Sequence, residues 1–280
     1  MGELNVLSVL HEDATLLVVD KPAGMLSVPG LREGLHDNLA TQVQALFSDA
    51  RVVHRLDQAT SGLMLFARGA AMQRLLSMAF EARQVEKRYL AVALGQLARE
   101  SGTIDLPLLA DWPNRPRQKV DMLDGKPALT RWQVLARGAD TTRLDLQPVT
   151  GRTHQLRVHL QAIGHPIVGD GKYGGKASFL TGTVSRKMHL HARRIRVEHP
   201  DGDIIDVTAD LPPHFNETLD DLGFDIETGD VMVLDEVKFS ATPEGKARAA
   251  LNKAKSARKD RKGERRARGS IPAKQSTRKK

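Results

Sequence analysis

Short, wholly apolar runs alternate along this chain with segments whose apolar residues return every three or four positions. Residues 15–19 (TLLVV, apolar from Leu16) and 63–67 (LMLFA) are runs of the first kind, bounded by turn signals such as KPAG, and read as strands. Residues 70–83 place Met72, Leu75, Leu76, Ala79 and Phe80 at helical spacing. An earlier helix carries Leu39, Val43, Leu46 and Phe47 on one face, with Asp37 or Asn38 available to cap it. A third is expected at about 153–163, with Leu156, His159, Leu160 and Ile163 on one side. Further strands are expected at 87–94, 129–136, 142–148, 189–198 and 204–208, and residues 111–120 (DWPNRPRQKV) read as a Pro-rich, basic loop. Strands and helices are mixed without regular βαβ alternation, which predicts an α+β domain on a mostly antiparallel sheet.

Composition narrows the setting. The 280 residues are 40% hydrophobic, enough for a sizeable core. The apolar runs are far too short to span a bilayer, and the start of the chain lacks the basic-then-apolar pattern of a signal peptide. There is no cysteine, which excludes disulfides, thiolate metal sites and cysteine nucleophiles and suits a reducing cytoplasm.

The net charge of +8 is unevenly placed. Residues 245–280 hold 15 Lys or Arg against two acidic residues, so residues 1–244 carry 27 basic and 32 acidic ones. Three segments are therefore expected: a body at 1–215 ending after the turn LPPH, an acidic linker at 216–244, and a basic tail at 245–280. The tail has almost no large apolar residues, cannot build a core, and is expected to be disordered when free. Its charge suits a polyanion; that of the body says little about nucleic acid.

Candidate chemistry centres on residues 53–62, VHRLDQATSG, where a carboxylate stands beside an arginine and a histidine just before an apolar strand. Read alone, Asp57 could cap a turn, His54 could be a structural histidine and Arg55 could belong to a surface ion pair. Likewise Tyr89 alone reads as a core strand residue, and Arg157 as a solvated charge on an amphipathic helix beside Arg152, His154 and His159. GDGKYGGK (169–176) lacks the first glycine and the Ser or Thr of a phosphate loop and reads as a glycine-rich turn. His154 and His159 are five apart, so they do not share a helix face as zinc ligands would, and no metal site is expected.

The ordered set of motifs changes these readings. VDKPAG (19–24), HRLD followed by TSG (54–62), KRYLA (87–91), TGRTHQLRVH (150–159), HPIVGD (165–170) and LHA (190–192) occur in the order found in the RluA-type pseudouridine synthases, which the chain resembles over roughly residues 12–215. The resemblance implies the pseudouridine synthase fold: a mixed, mostly antiparallel sheet flanked by helices, with a central RNA-binding cleft. It implies that Asp57 is the catalytic carboxylate, that Tyr89 packs on the uracil, and that Arg157 pairs with the carboxylate. Arg55 is the candidate for stabilising RNA from which the target uridine has been flipped. The reaction is redox-neutral, so no cofactor and no metal are expected. Asp57 could act as a nucleophile at C1′ or as a base on the ribose.

Within the family, DLPL (105–108), DWPNRPRQKV and LSVPG (26–30) are similar to the compact, dual-specificity enzyme that modifies a tRNA anticodon stem-loop and 23S rRNA. Arg115, Arg117 and Lys119 could then contact phosphates. The first motif begins by residue 15, so no N-terminal RNA-binding module is expected ahead of it. RNA is the expected partner and the cytoplasm the expected location, with no membrane association. The alternatives are a non-catalytic RNA-binding or ribosome-associated protein that retains the fold, and a hydrolase using Asp57 as nucleophile.

Overall fold

The computed structural model describes residues 7–30 and 37–225. Twelve strands run β1 (Ser8–Glu12), β2 (Leu16–Lys21), β3 (Ala50–Val52), β4 (Ser61–Arg68), β5 (Glu86–Leu94), β6 (Ser101–Asp105), β7 (Leu108–Ala110), β8 (Gln118–Val120), β9 (Leu129–Arg137), β10 (Thr141–Pro148), β11 (Leu190–Glu198) and β12 (Ile204–Thr208). Four α-helices flank them: α1 (Leu39–Leu46), α2 (Gly69–Ala82), α3 (Gln155–Ala162) and α4 (Pro213–Asp221). Ten strands form one sheet in the order β1-β2-β4-β11-β5-β10-β9-β6, with β12 on β11 and β3 on β4, while β7 and β8 make a separate hairpin. Every pairing is antiparallel except β4 with β11. This is the mixed, mostly antiparallel α+β architecture expected from the pattern.

The apolar runs are continuous because both sheet faces are covered. Leu17, Val19, Met64, Phe66, Ala91 and Leu146 share one core with Leu39 and Val43 of α1 and Leu156 and Leu160 of α3. Their neighbours Leu16, Val18, Leu63 and Leu65 pack on the opposite face with Met72 and Leu76 of α2. Alternation along a strand thus sends every second residue into a different core, and none needs to be polar. Asn38 caps α1, its Oδ1 accepting from the Thr41 N–H at 3.0 Å.

The parallel contact explains the TSG turn. Gly62 lies opposite Ala192, and a Cβ at position 62 would stand 2.3 Å from the Ala192 carbonyl oxygen. Its φ of +106° is also one that side chains resist. Ser61 meets the His191 ring at 2.9 Å across the same junction. A glycine here lets the chain enter β4 directly from the loop that carries Asp57.

The body extends past its expected end. Position 215 falls inside α4, whose Phe215 and Leu219, with Phe224 beyond it, pack against Leu90, Val92 and Val168 in a third core cluster. The first ten residues of the expected acidic linker therefore belong to the folded body. The rest of that segment and the basic tail lie outside the described residues. Among the described residues no helix is long and apolar enough to cross a membrane.

Candidate active site

Asp57 sits in the loop between β3 and β4, and that loop is stitched to the one after β2. The buried Lys21 ammonium donates to the carbonyls of Pro22, Met25 and Gln58 at 2.8, 2.9 and 3.2 Å. Ser27 Oγ donates to the Leu56 carbonyl at 2.7 Å and accepts from the Leu56 N–H at 3.1 Å. The residues on both sides of Asp57 are thereby fixed through their backbones, which ties the KPAG and HRLD motifs into one unit. Burial pulls the Lys21 pKa down to about 8, against the opposing pull of the Asp57 and Asp20 charges.

His54 serves the framework. Its Nε2 accepts from the Leu65 N–H of β4 at 2.9 Å and its ring lies 4.7 Å from that of Phe80. Burial, and then the Lys87 charge, push its pKa down to about 3, so the imidazole is neutral and free to accept. Arg55, on the same loop, is exposed and makes no ion pair among the described residues.

Arg157 is the centre of the cluster. Its Nη1 donates to Asp57 Oδ2 at 3.0 Å, while Nε and Nη2 form a two-pronged pair with Asp170, each at 2.8 Å. The Arg157 side chain is 6% exposed and that of Asp170 is 1%. Burial alone would lower the guanidinium pKa; the bonds and charge of Asp170, followed by those of Asp57, raise it instead. Arg157 is thus not the solvated charge that helical spacing suggests. Residues Gln155 to Leu160 are all buried, so α3 has no exposed stripe in that stretch. Asp170 engages two of the three guanidinium nitrogens, and the third, Nη1, is left pointing at Asp57.

Tyr89 lies on β5, opposite Ala192, which also faces Gly62 at the start of β4. Three adjacent strands thus put the Tyr89 backbone two strand spacings, about 10 Å, from the head of β4. The ring is 9% exposed, and burial, then the nearby Asp57 charge, raise the phenol pKa. Beside it, Arg88 makes a buried two-pronged pair with Asp145 of β10.

Two further residues border Asp57 that the sequence did not single out for this site. His154, at a left-handed φ of +54°, places Nε2 3.8 Å from Asp57 Oδ2. Its Nδ1 is 2.6 Å from the Tyr173 hydroxyl, which accepts from the Gln118 N–H at 2.9 Å. Burial outweighs the Asp57 charge and holds the His154 pKa down near 4. His159 points away, to Thr130 Oγ1 at 2.9 Å and the Leu106 carbonyl at 3.0 Å.

The structure thus brings Asp57 of the HRLD motif and Arg157 of the TGRTHQLRVH motif together, with Tyr89 two strands from the head of β4. The RNA pseudouridylate synthase family model matches residues 15–162. The chain belongs to the RluA-type RNA pseudouridine synthases. It is 46% identical over 194 residues to the dual-specificity RNA pseudouridine synthase RluA of Yersinia pestis, covering 69% of this chain and 93% of that protein. The RluA of Escherichia coli K12 is 45% identical over 195 residues, covering 69% and 88%. Among solved structures, human RNA pseudouridylate synthase domain containing 1 superposes with a TM-score of 0.64 at 30% identity, covering 78% of this chain and 89% of that one. An RluA-type enzyme is an RNA isomerase, and the sheet described above is the pseudouridine synthase fold.

Proposed function

We propose that this enzyme converts a uridine in tRNA anticodon stem-loops, and one in 23S rRNA, to pseudouridine, with Asp57 as its catalytic carboxylate. The observation that carries the residue assignment is the 3.0 Å hydrogen bond from a buried Arg157, itself anchored by Asp170, to the partly exposed Asp57. Such a charge-assisted hydrogen bond orients the carboxylate. The reaction breaks the bond from uracil N1 to ribose C1′ and forms one from C5 to C1′. N1 gains a proton and C5 loses one, so nothing is oxidised and no cofactor is called for. Attack by Asp57 on C1′ and removal of a ribose proton by Asp57 both need the ionised carboxylate. Tyr89 supplies a flat surface for the detached base while it turns. Arg55, exposed two residues before Asp57, stabilises RNA from which the uridine has been extruded into the cleft.

The substrate assignment rests on the dual-specificity relatives and on the DWPNRPRQKV segment. In this reading the basic tail adds sequence-independent attraction to phosphates, and the enzyme works in the cytoplasm, where its RNA is. One experiment covers both: a short anticodon stem-loop offered to the full chain and to a chain ending near residue 240. The stem-loop is expected to be modified by both at similar single-turnover rates. The shortened chain should show a flatter salt dependence of binding, by roughly 0.7 to 0.9 units of log–log slope for each phosphate that the tail no longer neutralises. Modification of intact ribosomal RNA alone would overturn the substrate assignment, and equal slopes would overturn the role of the tail.

A further inference from the structure

The β7–β8 hairpin carries an exposed tryptophan at its turn. Residues 111–117 connect its strands, and the connection is closed by four hydrogen bonds. The Asp111 N–H donates to the Arg117 carbonyl at 2.9 Å, the Asn114 N–H to the Asp111 carbonyl at 3.0 Å, and the Arg117 N–H to the Asn114 carbonyl at 3.0 Å. Asn114 Nδ2 completes the set at 2.9 Å from Asp111 Oδ2. Pro113 and Pro116 remove further backbone freedom. On this stiff turn Trp112 remains 64% exposed, with the Arg115 guanidinium 3.2 Å from its ring centroid. With the guanidinium on the ring and the turn held stiff, the indole presents a fixed, open aromatic surface.

The base of the hairpin reaches the active site. The Gln118 N–H donates to the Tyr173 hydroxyl that holds His154, and the Arg117 guanidinium lies 5.4 Å from the Tyr173 ring. The Arg157 guanidinium, bonded to Asp57, lies 5.1 Å from that same ring. From Gln118 to Arg115 is three residues, at most about 10 Å of chain. Lys119 is paired with Asp121 at 3.1 Å, which leaves Arg115 and Arg117 against Asp111, so the stretch is net positive and suits an anionic strand.

We propose that Trp112, with Arg115 laid on it, is a stacking platform for an unpaired base of the RNA substrate close to the target uridine. The proposal rests on the enzyme's acting on RNA and adds the element that holds a neighbouring nucleotide. A rigid aromatic face accepts any unpaired base and no paired one, so it selects for an opened loop over a duplex. The hairpin's link to Tyr173 puts that selection beside Asp57.

The chain has two tryptophans, so Trp132→Phe leaves Trp112 as the sole indole reporter. Added to that chain carrying Asp57→Asn, which binds without turnover, an anticodon stem-loop should quench Trp112 emission, and a fully paired RNA of equal length should not. Trp112→Ala in the otherwise native chain should weaken stem-loop binding and raise KM by about 5- to 150-fold, the contribution of one base stacked on an aromatic ring, with kcat on saturating RNA within a few-fold of native. Trp112→Phe should recover part of the loss. Unchanged emission and affinity, equal quenching by paired RNA, or a fall confined to kcat would each overturn the platform. The quenching and affinity readouts need no turnover, so they fail separately from the enzymatic reading, which falls only if the native chain makes no pseudouridine.

Discussion

Replacing Asp57 with Asn is expected to abolish pseudouridine formation, leaving turnover below about a thousandth of the native rate, because loss of a covalent or general-base catalyst costs several orders of magnitude. The change is isosteric and removes only the charge. Folding should survive it, since Arg157 keeps its two-pronged pair with Asp170 and the loop is held by Lys21, Ser27 and the backbones of Leu56 and Gln58. Quantifying pseudouridine in a treated stem-loop, beside a thermal unfolding curve, checks both halves. Turnover above that level in a well-folded variant would remove Asp57 from the chemistry.

Arg157→Met should damage both stability and activity, and the two effects can be separated. Methionine fills much of the volume but leaves Asp170, almost fully enclosed, without its cation. Stranding a buried charge in this way costs about 3–5 kcal/mol, to be read from denaturant unfolding. Activity should fall at least about a hundredfold, the scale set by misplacing a reacting group by about 1 Å, because Asp57 is left without its 3.0 Å partner. Adding Asp170→Asn removes the stranded charge and should restore part of the stability but none of the rate. If the rate returned with the stability, Arg157 would be a fold element and not the residue that aims Asp57.

Much of the sheet was legible because its central strands are long and apolar. Residues 63–67, 87–94 and 142–148 became β4, β5 and β10 with boundaries moved by one or two positions. The short strands were hidden. β1 alternates exposed and partly buried residues at the sheet edge, β7 and β8 are three residues each, and β8 lies inside the segment whose prolines and arginines read as loop. α4 was masked by its acidic residues, which conceal Phe215 and Leu219 on the face that meets the sheet.

The site divided along a similar line. Asp57, Tyr89 and Arg157 could be named because they lie in ordered motifs, whereas periodicity alone misjudged Arg157, whose partner Asp170 is 13 positions away across a turn. Asp170 closes the HPIVGD motif, and nothing in its spacing predicts a two-pronged pair. His154 and Tyr173 meet across 19 residues of chain, and Lys21 is held by three carbonyls that no side-chain pattern records. Local spacing reports which face a residue occupies, but pairings of this kind are set by the β4–β11 junction and the loops around it.

The central claim is that this chain moves uracil from N1 to C5 attachment without help. The most direct measurement incubates the full chain with an anticodon stem-loop carrying tritium at C5 of uridine, with no metal, nucleotide or redox cofactor added. Tritium should appear in water in equal amount to the pseudouridine formed in the RNA. RNA that binds tightly yet releases no tritium, from the stem-loop or from 23S rRNA, would contradict the account and leave a fold that holds RNA without changing it.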